Sequence, residues 1–279
     1  MEIRSNLTIV TVVKNDELGL NRTCESLCRQ SRHANYLIID GASTDGTQAL
    51  GLSWAEKLNG RFISEVDQGP FSAMNKALGL LEREDYVWFV NAGDLLPSDT
   101  TTEYVLERIN KEPPVWGFGS CIIAERDGTI RKQTKVIRPS VERIAYGQTP
   151  ICHQTVVAKV GAIRELGGFD VNYRIAADFK LNLLMAQRFE PEIWDRPIAI
   201  YSAGGISDTN LQRTRSEQIL VRREVLQRDR RDFLRRWKHA VFLAPRIMVG
   251  SGLDRLANKG LISVSWRAHL VALRRRSPG

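Results

Sequence analysis

The chain has 279 residues, of which 43% are apolar and 26% charged, so it has enough apolar sequence to fold around a core. This balance excludes a disordered chain, and no stretch reaches the roughly 18 unbroken apolar residues of a membrane span. We expect no signal peptide, because the first apolar run, LTIVTVV at 7–13, follows no basic region. Cys24 and Cys28 fit neither a redox motif nor a closed zinc site, so we expect reduced thiols of a cytosolic protein.

Positive charge is concentrated at the C-terminal end of the chain. Residues 211–279 contain 17 Lys/Arg and 5 Asp/Glu, a balance of +12, whereas the other 210 residues have a balance of −4. The sequence therefore predicts a mildly acidic body over 1–210 and a basic tail over 211–279. Any anionic surface that the protein meets is expected to meet the tail.

Apolar strand patterns and helical patterns alternate in the first part of the chain. Such alternation predicts a parallel sheet with right-handed crossovers, in which ligands bind at the carboxyl ends of the strands. The predicted elements, in chain order, are a strand at 7–13, a helix at 15–30, a strand at 35–40, a helix at about 48–58, a strand at 61–65, a helix at 71–84 and a strand at 85–91.

The second part of the chain is less regular, and its strands are predicted from short apolar runs bounded by turn residues. The predicted strands are 115–124, 129–136, 151–159 and 197–205, and the later part of 170–189 is predicted to be a helix. Together the two parts predict an α/β fold of Rossmann-like type, with a mostly parallel central sheet and helices on both faces.

Three polar clusters follow predicted strands, at 40–47, 67–69 and 91–94, and are therefore expected on one edge of the sheet. Asp40 precedes GASTDGT, a run that also suits a simple turn and helix cap. Asp94 follows Gly93 at the end of the apolar run YVWFV, where a carboxylate can bind a divalent cation. The alternative for Asp94 is a helix cap, although Ser98 and Asp99 are better placed for that role.

Two further polar sites interrupt apolar sequence. Asp178 lies at the start of a predicted helix in RIAADFK, where it is either a cap or a general base whose pKa is raised by apolar surroundings. His153 and Gln154 lie within the predicted strand at 151–159, and a lone histidine in such a setting is more often structural than functional.

Several common fingerprints are absent from the sequence. No G-x-G-x-x-G follows the first strand, and the chain contains no P-loop, which argues against dehydrogenases and P-loop enzymes. The chain also has no G-x-S-x-G, which argues against an α/β-hydrolase.

The order of the remaining motifs resembles a known family. TIVTVVKN, LIIDGASTDGT, SEVDQGPFSAMNKAL, WFVNAGDLL, HQ, AADF and GGIS are similar to motifs of the inverting family-2 glycosyltransferases, which have the GT-A fold. The resemblance covers about residues 7–210 and is strongest to the bacterial branch that builds exopolysaccharide and colanic-acid-type repeat units. It implies a nucleotide-sugar half at 1–100 and an acceptor half at 101–210.

The resemblance also implies roles for individual residues. Asp178 matches the general base, and Asp94 matches the carboxylate that binds ribose and a Mg²⁺ or Mn²⁺ ion. His153, Gln154 and Gly205 are placed near the acceptor or the donor sugar. The residues implied to bind the nucleotide sugar are Thr11, Val13, Asp40, Asp67, Asn75, Lys76, Asn91 and Asp94. Lys76 is also implied to help stabilise the departing diphosphate.

Two departures from the family pattern affect these expectations. Most relatives have D-x-D or D-D where this chain has Gly93 and Asp94, so only one carboxylate is offered to a metal ion. Ala177 stands where many relatives have Glu before the base, so Asp178 lacks that neighbour.

The resemblance implies an enzyme that moves a sugar, with inversion, from a UDP-, GDP- or dTDP-sugar to a lipid-linked saccharide. Its implied place is bacterial surface or exopolysaccharide biosynthesis, at the cytoplasmic face of the plasma membrane. One alternative is a nucleotidyltransferase, which calls for a Gly-rich basic loop where this chain has KNDELG. Another is a catalytically inactive sugar-nucleotide-binding scaffold, against which the joint presence of Asp94 and Asp178 argues.

The basic tail is predicted to form amphipathic helices. Phe233, Trp237 and Val241 are spaced four apart among arginines, a pattern typical of helices that lie on anionic membrane surfaces. The alternative is a helix that packs on the body with a solvated basic face. No nucleic-acid-binding motif is present, so we expect no nucleic-acid partner.

Overall fold

The computed structural model of the protein describes residues 6–125 and 127–226, apart from the side chains of Ile206 and Ser207. These residues form one eight-stranded mixed sheet with helices on both faces, as the sequence predicts. Phe233, Trp237 and Val241, the residues on which the predicted tail helices depend, lie outside the described residues. Among the helices that the structure describes, none combines the length and the apolarity needed to cross a membrane.

The first part of the chain alternates strands and helices as predicted. Helix α3 ends at its only glycine, short of the predicted residue 84, because glycine is unfavourable in a helix interior. The elements are β1 Leu7–Val13, α1 Glu17–Cys28, β2 Asn35–Asp40, α2 Thr47–Lys57, β3 Arg61–Ser64, α3 Pro70–Gly79, β4 Tyr86–Phe89 and α4 Thr101–Lys111.

The second part contains the remaining strands and five helices within the described residues. The elements are β5 Trp116–Ala124, β6 Ile130–Gln133, α5 Val141–Ala145, β7 Val156–Lys159, α6 Val160–Glu165, α7 Ala177–Arg188, β8 Glu192–Ser202, α8 Ile206–Thr209 and α9 Leu211–Val225. The predicted strand at 151–159 is confirmed only for its second half, which is β7. Its first half is wrong, because a 3₁₀ turn at His153–Thr155 precedes β7.

The strand order is β3-β2-β1-β4-β7-β5-β6, and β8 pairs with β5. The neighbours β3, β2, β1 and β4 are parallel, whereas β7 is antiparallel to both β4 and β5. Val13 pairs with Asp40, and Asp40 pairs with Ser64, so these parallel strands end at the same edge. This edge, which we call the rim, carries the three polar clusters.

The two faces of the sheet bury separate apolar clusters, because alternate strand residues point to opposite faces. Trp88 of β4 packs with Leu20 of α1 and Val105 of α4 on one face. On the other face Phe89 packs with Met74 of α3 and Leu181 of α7. Every side chain of β4 is therefore buried in the core, and the polar residues begin where the strand ends.

Helix α9 belongs to the same compact unit as the strands, which extends to Val225. Val221 of α9 is fully buried, and the Gln187 amide of α7 donates to the Val225 carbonyl at 3.2 Å. The predicted boundary at 210 therefore precedes a helix that packs against the body. The first turns of the predicted basic tail are part of the folded domain.

Candidate active site

Asp94 lies at the end of β4 and is almost completely buried. Its Oδ2 accepts a hydrogen bond from the Gln154 amide at 3.0 Å, and its Oδ1 accepts from the Ser202 backbone N–H at 3.3 Å. Gly93 has a φ of 94°, a conformation that favours glycine and lets the chain turn there. Burial raises the pKa of the Asp94 carboxyl to about 7, although both hydrogen bonds lower it. Asp94 therefore joins the ends of β4 and β8 to the 3₁₀ turn.

The structure contradicts the alternative that Asp94 caps helix α4. The residue before α4 is Thr100 rather than Ser98 or Asp99, and no side-chain hydrogen bond caps that helix. Asp94 is also too far along the chain from the helix start to cap it.

The fit of a divalent cation depends on oxygen ligands near Asp94. Within 6–125 and 127–226, no three His, Cys, Asp or Glu side chains are grouped closely enough to hold a metal ion. Asn91 Oδ1, in the same turn as Asp94, is buried and has no hydrogen-bond partner among these residues. The turn at 91–94 therefore carries two side chains with oxygen ligands, Asn91 and Asp94, and such ligands suit a cation whose other ligands are substrate phosphates and water.

Asp40 lies at the rim, and its carboxylate is fully buried. Its Oδ2 accepts from the Ser43 N–H at 3.0 Å and from the Ser64 hydroxyl at 2.6 Å, while its Oδ1 accepts from the Ser43 hydroxyl. Asp40 therefore holds the loop after β2 in the way that the turn alternative predicts. Its Oδ1 accepts only one of these hydrogen bonds, so a contact between its carboxylate and a nucleotide base depends on access to a fully buried oxygen.

Asp67 approaches the end of β2 from the neighbouring loop. Its Oδ1 accepts from the Gly69 N–H at 2.9 Å. A Cβ atom on Gly41 would lie 2.5 Å from Asp67 Oδ2 and 3.2 Å from Lys14 Cδ, so these three residues meet at the rim. Lys14 is exposed, and the sequence analysis missed it. The available signal was its position immediately after β1.

Asn75 and Lys76 of α3 have partners within the protein. The Asn75 amide donates to the Phe169 carbonyl at 2.7 Å, and its Oδ1 accepts from the Phe169 N–H at 2.9 Å. Lys76 Nζ lies 2.8 Å from Glu65 Oε2. Asn75 thus fixes the loop before α7, and its predicted contact with the nucleotide sugar is left to the second amide hydrogen and the second lone pair of Oδ1.

Thr11 and Val13 contribute to the rim through the backbone, because both side chains are buried. The Val13 carbonyl accepts a hydrogen bond from the Gly41 N–H at 2.9 Å. Their predicted contact with the nucleotide base is therefore limited to main-chain atoms near the end of β1.

His153 is packed as an aromatic residue. Its ring stacks on Phe89 at 5.7 Å and meets Phe169 edge-on at 5.6 Å. Burial lowers the pKa of His153 to about 4, and its Nε2 has no partner among the described residues. His153 is therefore neutral at physiological pH and contacts core residues, while its neighbour Gln154 holds Asp94.

Gly205 lies at the start of α8, where its carbonyl accepts hydrogen bonds from the Asp208 and Thr209 N–H groups. A Cβ atom on Gly205 would lie 2.9 Å from the Tyr201 hydroxyl oxygen. The glycine therefore allows a close approach between this loop and β8, and its predicted proximity to a sugar stays a prediction.

Asp178 lines a cleft of about 360 Å³ formed by the end of α5, the loop after it, the start of α7 and one side of α9. Its Oδ1 accepts from the N–H of its own neighbour Phe179 at 2.7 Å. Burial raises the pKa of the Asp178 carboxyl to about 6, although this hydrogen bond lowers it. The cleft is also lined by Tyr146, Thr149, Ile151, Asn182, Gln218 and Arg222.

The sequence analysis missed the contribution of α9 to this cleft. Glu217 of α9 accepts hydrogen bonds from the N–H groups of Ile175, at 2.8 Å, and Ala176, at 3.1 Å, directly before Asp178. Arg213 donates to the other oxygen of Glu217 at 2.8 Å. The only sequence signal was that Glu217 is the single acidic residue in 211–223.

The chain is similar in sequence to known glycosyltransferases. Residues 8–167 match the glycosyl transferase family 2 domain, which is more than half of the chain. The chain belongs to glycosyltransferase family 2. An uncharacterized glycosyltransferase of Mycobacterium tuberculosis is 28% identical over 190 residues, covering 66% of this chain and 70% of that protein. A PGL/p-HBAD biosynthesis glycosyltransferase of Mycobacterium bovis is 28% identical over 163 residues, covering 57% of this chain and 61% of that protein.

Solved structures share the fold of this family-2 glycosyltransferase. The mannosyltransferase PcManGT of Pyrobaculum calidifontis, solved with GDP-Man and Mn²⁺, superposes with a TM-score of 0.63 at 17% identity, covering 98% of this chain and 80% of that one. TarS of S. aureus, solved with UDP, gives a TM-score of 0.55 at 19% identity, covering 77% of this chain and 65% of that one. These similarities establish the GT-A-like fold of the chain.

Proposed function

We propose that the protein transfers a sugar from a nucleotide-sugar donor to a saccharide acceptor with inversion at the anomeric carbon. The observation that carries this proposal is the position of Asp178, a carboxylate of raised pKa on the wall of a cleft large enough for a sugar ring. The part of the rim where Lys14, Gly41 and Asp67 meet is the proposed donor side. Family membership supports glycosyl transfer, and the donor-bound neighbours support a nucleotide sugar.

The proposed chemistry is a single displacement. An acceptor hydroxyl attacks the anomeric carbon, a new glycosidic bond forms, and the bond to the nucleoside diphosphate breaks. Asp178 takes the proton of the hydroxyl. A base with a pKa of about 6 is ionised at neutral pH and remains basic enough for this step.

The leaving diphosphate needs positive charge near the rim. Lys14 is exposed beside Gly41 and Asp67, and Lys76 is held near the same edge by Glu65. We further propose that Asp94 and Asn91 hold a Mg²⁺ or Mn²⁺ ion, as the Mn²⁺ in the PcManGT structure suggests. Such an ion would neutralise diphosphate charge, and Asp94 would bind the ion through its ionised carboxylate.

The acceptor is proposed to be a lipid-linked saccharide. The relative named for PGL/p-HBAD biosynthesis supports this class, and a cell-wall glycolipid is as compatible with it as an exopolysaccharide intermediate. A peripheral position on the inner face of the plasma membrane is also proposed, and the basic sequence of 227–279, which contains 13 Lys/Arg and 3 Asp/Glu, supports it.

A donor screen followed by product analysis tests the proposal. UDP-, GDP- and dTDP-sugars are added to the full chain, and the donor that raises the thermal unfolding midpoint is taken into a transfer assay. We expect nucleoside diphosphate release that depends on a saccharide acceptor and a product of inverted configuration by NMR. A product of retained configuration contradicts the single displacement, and binding without any diphosphate release supports the inactive scaffold instead.

A further inference from the structure

The turn that leads into α7 obtains its hydrogen-bond acceptor from α9, which lies outside the family-matched residues 8–167. Helix α7 follows Ala176, and no side-chain hydrogen bond from that position caps the helix. The N–H groups of Ile175 and Ala176 are instead bound by Oε2 of Glu217. One carboxylate oxygen thus fixes two consecutive peptide groups immediately before Ala177 and Asp178.

This carboxylate is well placed to control the geometry of the turn. Glu217 is 7% exposed, and its Oε1 is bound by Arg213, so neither oxygen is free to rotate away. Hydrogen bonds from N–H groups to an ionised carboxylate are stronger than those to a neutral oxygen. Ala177 has no polar side chain, so the acceptor for these two N–H groups comes from Glu217 of another helix.

We propose that Glu217 is a positioning residue for sugar transfer, which holds the turn at 175–176 so that Asp178 points into the cleft. The inference rests on the proposed role of Asp178 as the base. Glu217 acts through Asp178 and needs no contact with the donor. Because a displacement of about 1 Å can cost about a hundredfold in rate, loss of this anchor should lower kcat while leaving donor binding unchanged.

Glu224 provides a matched control on the same helix. Its Oε2 accepts from the Tyr173 hydroxyl at 2.7 Å, and its Oε1 pairs with Lys180 of α7. Glu224 therefore holds α9 against α7 as Glu217 does, but it does not touch the N–H groups before Asp178. A variant at Glu224 reports the effect of weaker helix packing alone.

The experiment compares Glu217→Gln, Glu217→Asp and Glu224→Gln in the full chain, with Asp178→Asn in the same assay. We expect Glu217→Gln to lower kcat about 10- to 100-fold with the donor KM unchanged within about twofold, and Glu224→Gln to resemble the wild type. Glu217→Asp keeps the charge opposite Arg213 but withdraws the carboxylate by one methylene, so it should also lower kcat. It replaces Glu217→Gln if that variant does not fold.

The outcomes separate this inference from the proposed function. If Asp178→Asn is inactive and Glu217→Gln and Glu217→Asp turn over like Glu224→Gln, only the positioning role is wrong. Equal losses of kcat in the Glu217 and Glu224 variants, following their thermal midpoints, would assign Glu217 to packing and likewise overturn the role. Normal turnover by Asp178→Asn would overturn the base assignment itself.

Discussion

The rim and the cleft present carboxylates in opposite ways. Asp40 receives three hydrogen bonds and Asp94 receives two, all from groups of the protein itself. Asp178 accepts from the N–H of its neighbour Phe179 and lies on the wall of an open cleft. Carboxylates therefore hold loops together at the rim, whereas the proposed base borders a space that an acceptor can enter. Access to a cleft, rather than burial alone, distinguishes Asp178 from Asp40 and Asp94.

Asp178→Asn tests the reactive side of this comparison and should have the largest effect. Removal of a general base typically lowers the rate by about 10²–10⁴-fold, and donor affinity should be nearly unchanged because Asp178 is not at the rim. Asp195→Asn is the control, since Asp195 is an exposed carboxylate that contacts Tyr104. Rapid transfer by Asp178→Asn would show that another group takes the proton.

Asp178 also gives the rate a pH dependence. Burial raises its pKa to about 6, and the ionised form is the one that accepts a proton in the proposed mechanism. We therefore expect kcat to be level above about pH 7 and to fall about tenfold per unit well below pH 6. The profile is measured at saturating donor, over a range where thermal midpoints show the protein folded. A rate that stays constant down to pH 5 would contradict the assignment.

Two variants of Asp94 test the structural side. Asp94→Ala leaves the Gln154 amide and the Ser202 N–H without an acceptor, which should cost about 1–3 kcal/mol for each buried group. Asp94→Asn keeps one acceptor oxygen and the shape, so it should remain folded while losing any stimulation by Mg²⁺ or Mn²⁺. Denaturant unfolding and activity with added metal ions or chelator are the measurements. Unchanged wild-type activity in excess chelator would remove the cation from the proposal.

His153→Phe tests whether His153 is a packing residue. In the unfolded state His153 gains a proton below about pH 6.5, whereas the buried ring of the folded state gains one only near pH 4. The free energy of unfolding therefore falls as the pH is lowered through this window. Phenylalanine keeps the contacts with Phe89 and Phe169 and does not titrate. We expect the variant to gain about 2 kcal/mol over the wild type between pH 8 and pH 5. An equal difference at both pH values would contradict the neutral buried ring.

Truncation after residue 226 should have the smallest effect on catalysis and a clear effect on membrane binding. The cut lies beyond α9 because that helix packs on the body through Val221. Each basic residue near an anionic surface contributes about 1 kcal/mol, so the truncated protein should no longer co-sediment with anionic vesicles at low salt. Transfer to a short soluble acceptor should persist. Equal binding by the full and truncated chains would exclude the tail as the membrane contact.

The predictable features were those that local sequence determines. The parallel strands β1 to β4 follow from apolar runs separated by helical patterns, and their polar ends follow from the position of each strand terminus. The place of β7 between β4 and β5 depends on pairing between distant segments, which the spacing of apolar residues within a strand or a helix does not encode. For the same reason the sequence predicts a strand where the 3₁₀ turn at 153–155 lies, because the His153 ring is packed by Phe89 and Phe169, which are distant in sequence.

The candidate site shows the same limit at single residues. Asp94 and Asp178 stand out in the sequence because each lies in a recognisable setting, at a strand end and at a helix start. Asn75 and Phe169, which are joined by a hydrogen bond, lie 94 positions apart in the sequence, and Ile175 and Glu217 lie 42 apart. No rule of sequence spacing predicts either contact. Lys14 was overlooked because its significance depends on the approach of Gly41 to Asp67, which exists only in the folded chain.

The anchoring of residues 175 and 176 by Glu217 has a consequence for the order in which the protein becomes competent. The strands of the rim and α9 belong to one compact unit that extends to Val225, and such a unit folds as a whole. A nascent chain that ends before Glu217 lacks the acceptor for the N–H groups of Ile175 and Ala176. With Asp178 as the proposed base, the support of that base arrives only when synthesis has passed the last helix of the domain.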